Sequence, residues 1–179
     1  MKNVIVFGAS NSKNSINQQL AEYAASKLSD AKITTLDLND YEMPIYSLDR
    51  ESESGIPQLA KDFDAKMATA DGFIVSFAEY NGVYSTAFKN IFDWVSRVDG
   101  NVWKDKPVIF MATSPGERGG ITVLEIAAGR MPYHGAMVVG TFSLASFGDN
   151  FKDGVIVNED LNNELTKLVN KFHKELLEA

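Results

Sequence analysis

The 179-residue chain has no cysteine and only two histidines, His134 and His173. The first absence excludes disulfides, thiolate nucleophiles and cysteine-held metal or iron–sulfur centres. Two histidines leave little material for a histidine-built metal site. No apolar run approaches the ~20 residues of a membrane span, and the N-terminus enters a strand-like run almost at once. Neither a signal peptide nor an anchor is therefore expected, and the expected location is cytoplasmic. Positive charge is also short: 17 Lys and Arg against 24 Asp and Glu give a net −7. That sign argues against nucleic acid or an anionic membrane as partner, though backbone dipoles can still hold a small anion inside an acidic protein. With no low-complexity run or internal repeat, a chain of this length is expected to form one domain over 1–179.

What is present is concentrated near the start. Val4-Ile5-Val6-Phe7 reads as a buried strand, Gly8-Ala9-Ser10-Asn11 as a turn, and Gln18 to Leu28 as a helix. Between them Ser12, Asn14, Ser15 and Asn17 add hydroxyls and amides where helical N–H groups begin. Such a junction makes an anion site, most naturally for a phosphate. The same residues also suit an ordinary surface turn in which Ser15 is the N-cap. The loop lacks both the Gly-Lys-Ser/Thr ending of nucleoside triphosphate sites and the three spaced glycines of dinucleotide sites. A monophosphate is the remaining candidate.

Further along, Lys32 to Leu38 alternates in polarity like a partly covered strand near a sheet edge. Asn39 to Pro57 reads as a long loop, packed down by Met43, Pro44, Ile45 and Tyr46 and with a mobile tip from Asp49 to Gly55. A helix is predicted over 56–70, with Leu59, Phe63, Met67 and Ala70 on one face. Phe73 to Ala78 is apolar nearly throughout, as a strand covered on both faces should be. The loop Glu79-Tyr80-Asn81-Gly82 and a helix over 84–98 follow it. Val108 to Thr113 is a fourth strand, leading into Ser114-Pro115-Gly116-Glu117-Arg118-Gly119-Gly120 and a helix over 121–131. Ala136 to Phe142 is a fifth strand, and an amphipathic helix over 159–177 closes the chain.

Five strands alternating with helices predict an α/β fold with an open parallel sheet and right-handed crossovers. An edge-like second strand and buried strands one, three and four imply the order 2-1-3-4-5, with the switch point between strands one and three. The loops after strands one, three and four would then converge on one crevice. One loop brings phosphate donors, one an aromatic ring, an amide and a glycine, and one three glycines with approachable backbone. Such a site suits a flat, partly polar ring with a phosphate tail, and flavin mononucleotide (FMN) has that shape.

These residues resemble the NADPH-dependent FMN reductases, a flavodoxin-like group that includes azo, quinone and chromate reductases. Glu79-Tyr80-Asn81-Gly82 through Lys89-Asn90-Ile91-Phe92-Asp93-Trp94 is similar, without a gap, to the family's Pro-Glu-Tyr-Asn-Gly to Leu-Lys-Asn-x-x-Asp-Trp motif. Ser10, Ser15 and Asn17 match its phosphate loop, and Met43-Pro44-Ile45-Tyr46 resembles its Leu-Pro-Leu-Tyr segment. The resemblance implies a three-layer flavodoxin-like sandwich in which Ser10, Ser12, Ser15, Ile16 and Asn17 surround the FMN phosphate. Glu79, Tyr80, Asn81 and Gly82 would contact the ribityl chain and ring edge, while Ser114, Pro115, Gly116 and Gly119 would lie along the pyrimidine side. N–H groups there would stabilise charge on the reduced ring.

The chain departs from the pattern at Ser12, where the family usually has Arg, at Ala78 in place of Pro, and at Ser85-Thr86 in place of Pro-Gly. Lys89 and Asp93, spaced i and i+4, read as a structural pair. Phe88, Phe92 and Trp94 read as core or dimer contacts. Arg118 and Glu117 would face the crevice, with Arg118 at an NADPH phosphate, in solvent or between subunits. The implied activity is ping-pong transfer of a hydride from NADPH or NADH through flavin N5 to a small-molecule electron acceptor: free flavin, a quinone, an azo compound or a metal oxyanion. The implied assembly is a homodimer or tetramer. The alternative is a flavodoxin-like electron carrier or flavin-binding module without pyridine-nucleotide turnover.

Overall fold

Period-two alternation in the apolar runs sorts their side chains to two sides of one sheet. The computed structural model describes residues 1–178, so the last residue of the expected 1–179 domain, Ala179, lies outside the described residues. The first strand, β1 (Lys2–Ala9), sends Ile5 and Phe7 into one core and Val4 and Val6 into the other. Helix α1 (Ile16–Ser26) follows, and β2 (Ala31–Thr35) pairs parallel to β1 as a largely exposed edge strand. Strand β2 stops short of the expected Leu38, because the Asp37 carboxylate caps a 3₁₀ turn over Leu38–Tyr41 by accepting from Asn39 N–H at 2.9 Å. Leu38 is thereby drawn into the core.

The expected mobile tip is instead a helix, α2 (Leu48–Ser54). Ser47 caps it, accepting from Arg50 N–H, and Asp49 and Glu51 lie in its first turn, where acids are favoured. Glu51 is held from outside by the Tyr46 hydroxyl at 2.9 Å and the Arg97 guanidinium at 3.1 Å. Helix α3 (Gln58–Met67) leads into β3 (Gly72–Phe77), which is buried throughout. A ribbon of β4 (Glu79–Tyr80) and β5 (Val83–Tyr84) precedes α4 (Thr86–Val98). Then come β6 (Lys106–Thr113), α5 (Ile121–Arg130) and β7 (Ala136–Leu144). A short helix α6 (Phe147–Asn150) and a second ribbon, β8 (Phe151–Lys152) with β9 (Val155–Ile156), lead to α7 (Glu159–Glu178). No element had been expected between 147 and 156.

The main sheet runs β2-β1-β3-β6-β7, all parallel. Counting its strands one to five, this is the expected order 2-1-3-4-5, and the three layers are the expected flavodoxin-like sandwich. Helices α1 and α7 cover the side of Val4, Val6, Ile74 and Ile109. Helices α3, α4 and α5 cover the side of Phe7, Phe73, Phe77 and Phe110. Helix α1 lies tight on the sheet: a Cβ on Gly8 would fall 2.4 Å from Gln18 N and 2.7 Å from its Cα. No helix among the described residues is long and apolar enough to cross a membrane.

Candidate functional site

The C-terminal ends of β1, β3 and β6 lie side by side, so the loops leaving them meet. A cavity of about 260 Å3 there is lined by Ser10, Ser12, Asn14, Ser15, Ile16, Asn17, Ala78, Glu79, Tyr80, Thr113, Ser114 and Pro115. Most of the expected site residues thus share one concavity, while Asn81, Gly82, Gly116 and Gly119 sit outside its lining. Asn14, Ala78 and Thr113 join the expected set. Asn14 belongs to the hydroxyl- and amide-rich run already singled out, whereas nothing local in the sequence marks Thr113.

The first loop is built around the start of α1. Ser15 accepts from Gln18 N–H at 3.1 Å, and Ser10 Oγ accepts from Ser12 N–H at 3.1 Å. The N–H groups of Ile16 and Asn17, first in the helix, have no protein acceptor among the described residues. Two free donors at the positive end of an 11-residue helix, beside the Ser12 hydroxyl, suit an anion. The Asn17 side chain is committed elsewhere. It is buried and accepts from Ser76 Oγ at 2.7 Å and Thr113 N–H at 3.0 Å, while donating to Thr113 O at 3.1 Å. Asn17 therefore uses its side-chain amide to clamp α1 to β3 and β6, which leaves its backbone N–H as the group it has for a ligand. Neither partner could be read from the sequence, since they lie 59 and 96 residues away.

The second loop is a β-hairpin. Asn81 and Gly82 have φ of 52° and 81°, so the Asn-Gly pair occupies the two left-handed positions of a tight turn between β4 and β5. The turn projects Tyr80, which is half exposed, with its hydroxyl 3.4 Å from Ser12 Oγ. Ser85 anchors the far end, donating to Ala9 O at 2.8 Å and accepting from Phe88 N–H as the cap of α4. Glu79 reaches the first turn of α5, beyond the third loop, and accepts from Val123 N–H at 3.0 Å. Tyr84 packs on Phe77 and Phe88 with its hydroxyl buried and unpartnered. Burial pushes that phenol up to about 12, against a lowering pull from Arg130.

The third loop folds on itself. Gly116 O accepts from Gly119 N–H at 3.2 Å and Ser146 N–H at 2.9 Å, and Ser114 O accepts from Phe147 N–H. The Gly119 N–H is thus engaged within the loop rather than offered to a ligand. Gly116 faces open space, where an added Cβ would meet only Ser114 Oγ, at 3.9 Å. Arg118 donates to Thr122 at 2.9 Å on the exposed surface.

Tyr80 also borders a larger cavity of about 600 Å3, walled by Asn11, Asn39, Tyr41, Glu42, Met43 and Ile45 and by the start of α4. Here the motif on α4 finds its structural meaning. Asn90 accepts from Tyr46 N–H at 2.8 Å and donates to Met43 O at 3.0 Å, and Trp94 Nε1 donates to Pro44 O at 2.7 Å. One turn apart on the helix, the two side chains fasten the 43–46 segment, with Tyr46 edge-on to Trp94 at 4.9 Å. Met43 is buried as expected, but Ile45 is exposed and does not help pack the segment down. Lys89 and Asp93 pair at 2.7 Å.

These residues fit the phosphate end of FMN through the free N–H groups of Ile16 and Asn17 and the hydroxyls of the first loop; Glu79, the one carboxylate in the lining, is held away on its Oε2 side by Val123 N–H. A family model described as NADPH-dependent FMN reductase matches residues 2–149. A 2-hydroxy-1,4-benzoquinone reductase from a Burkholderia species is 30% identical over 165 residues, covering 89% of this chain and 88% of the relative. Among solved structures, the flavoenzyme NAD(P)H:(acceptor) oxidoreductase FerB from Paracoccus denitrificans superposes with a TM-score of 0.79 at 23% identity, over 99% of this chain and 98% of that one. An FMN-dependent NADH-azoreductase from Bacillus anthracis, in complex with FMN, gives 0.63 at 9% identity over 96% and 98%. The two structural likenesses show a shared fold.

Proposed function

The chain belongs to the NADPH-dependent FMN reductase family, and from that premise we propose that it holds FMN in the three-loop cavity and carries electrons from NADPH to a quinone-class acceptor. The observation that carries this reading is the convergence of a donor-rich helix N-terminus, the Tyr80 hairpin and the β6–α5 loop on one concavity. The acceptor class is supported by the likeness to a benzoquinone reductase across most of both chains. A second, independent support is the larger cavity at Tyr80, whose lining carries Glu42 and no Lys or Arg, which favours an uncharged acceptor over an oxyanion there.

FMN, when bound, supplies the two-electron redox chemistry. Ser10, Ser12, Ser15 and the N–H groups of Ile16 and Asn17 receive its phosphate. Glu79, Tyr80, Asn81 and Gly82 border the ribityl chain and ring edge, and Ser114, Pro115 and Gly116 border the pyrimidine side, where Gly119, its N–H spent on Gly116 O, shapes the loop without offering a donor. Ser12 replaces a guanidinium with a hydroxyl, which forgoes a charge-assisted contact of roughly 1.5–3 kcal/mol. Ser12→Arg is accordingly expected to tighten FMN binding about tenfold or more. In this reading the protein is a cytoplasmic homodimer in which α4 contributes to the interface through the half-buried Phe92.

Anaerobic mixing of FMN-loaded protein with NADPH tests the activity. Bleaching of the flavin absorbance, followed by its return on adding a benzoquinone, is the expected result. FMN uptake without bleaching by NADPH or NADH would instead indicate an electron carrier.

A further inference from the structure

Helix α5 starts without a cap of its own. Its N-cap residue is Gly120, with φ 72°, and no acid lies in its first turn. The missing cap comes from 44 residues earlier, where Glu79 Oε2 accepts from Val123 N–H at 3.0 Å. Glu79 is also the one carboxylate lining the cavity formed with Ser12, Ser15 and Ser114, and no cation lines it.

We infer that Glu79 is a positioning residue that locks the hairpin to the first turn of α5, and that its charge sets the balance between oxidised and reduced FMN. This inference rests on the FMN reading above. An uncapped helix N-terminus carries about half a positive charge and would favour the extra negative charge of reduced flavin. A full carboxylate at the same point outweighs that dipole. The site then holds reduced FMN less tightly and leaves it a stronger electron donor.

Two variants separate the effects. Glu79→Gln keeps an oxygen for Val123 N–H but removes the charge, whereas Glu79→Ala removes both. FMN affinity, the midpoint potential of bound FMN and thermal unfolding of the flavin-free protein are measured for each. Glu79→Gln is expected to bind oxidised FMN at least as tightly as wild type does, and to favour reduced FMN about tenfold more again, which is a rise of about 30 mV for a two-electron couple. Glu79→Ala is expected to unfold at a lower temperature than Glu79→Gln and to bind oxidised FMN more weakly. An unchanged or lower potential in Glu79→Gln overturns the electrostatic role. Wild-type unfolding and FMN affinity in Glu79→Ala overturn the positioning role. If wild-type protein takes up no FMN, the functional reading fails and takes this inference with it. FMN uptake with an unshifted Glu79→Gln potential sinks this inference alone.

Discussion

Replacing Asn17 with alanine should loosen the site and the fold together. The Asn17 amide makes three buried hydrogen bonds, to the Ser76 hydroxyl and to both backbone groups of Thr113. The Ser76 hydroxyl can rotate toward another acceptor, but the Thr113 N–H and C=O are fixed by β6 and stay behind unpartnered. A stranded buried polar group costs ~1–3 kcal/mol, so two of them near the lower end, with the lost side-chain packing, give about 3 kcal/mol. That is a large share of the ~5–15 kcal/mol holding a typical domain folded. For a chain of this size it lowers Tm by about 6–12 °C. Urea and thermal unfolding of flavin-free protein measure the loss, and FMN affinity should fall as well because α1 is no longer clamped to β3 and β6. Asn17→Asp, nearly the same size, sets an oxygen against Thr113 O and should be at least as damaging at neutral pH. A loss below about 1 kcal/mol for Asn17→Ala would refute the clamp.

Gly8→Ala places a methyl group 2.4 Å from the backbone of Gln18; a loss of about 2 kcal/mol or more is expected from urea unfolding, together with weaker FMN binding as α1 shifts. Tyr84→Phe removes a buried, unpartnered hydroxyl and should leave stability at pH 7 unchanged or raised by up to about 1 kcal/mol. Because burial raises the Tyr84 phenol to about 12 from an ordinary 10.0, the wild type gains stability from its neutral form below pH 10 and loses it as pH rises toward 12. Denaturation across that window should therefore favour the phenylalanine variant progressively. Asp99 is held below its usual 3.8 by its bond to Lys104 and by Asn101 N–H. Its stabilising effect is present above pH 3.8 and lost as pH falls through the depressed value, so the gap between wild type and Asp99→Asn in urea should close on acidification.

The buried strands were legible because Val4–Phe7, Phe73–Phe77 and Val108–Thr113 are apolar on both faces, which only a covered strand requires. The loops of the site were legible because polar, glycine-containing runs follow each of those strands. Helix α2 was not. None of its residues is buried, so it has no apolar period, and it is held by Arg97 and Tyr46 from outside. Its Ser47 cap and early acids were nevertheless present in the sequence as a start signal. The roles of Asn17, Glu79 and Asn90 were hidden for another reason. Each was visible as part of a motif, but each is bonded to a partner more than 40 residues away, so what the motif holds together emerges only when the chain is folded.

The most direct test of the account compares FMN with riboflavin, which is the same ring and ribityl chain without the phosphate. Both are titrated into flavin-free protein and followed by fluorescence quenching. If the β1–α1 loop receives the phosphate, FMN should bind at least tenfold more tightly than riboflavin, and Ser12→Arg should widen the ratio. Equal affinities, or no binding of either at high micromolar flavin, would contradict the assignment of the three-loop cavity.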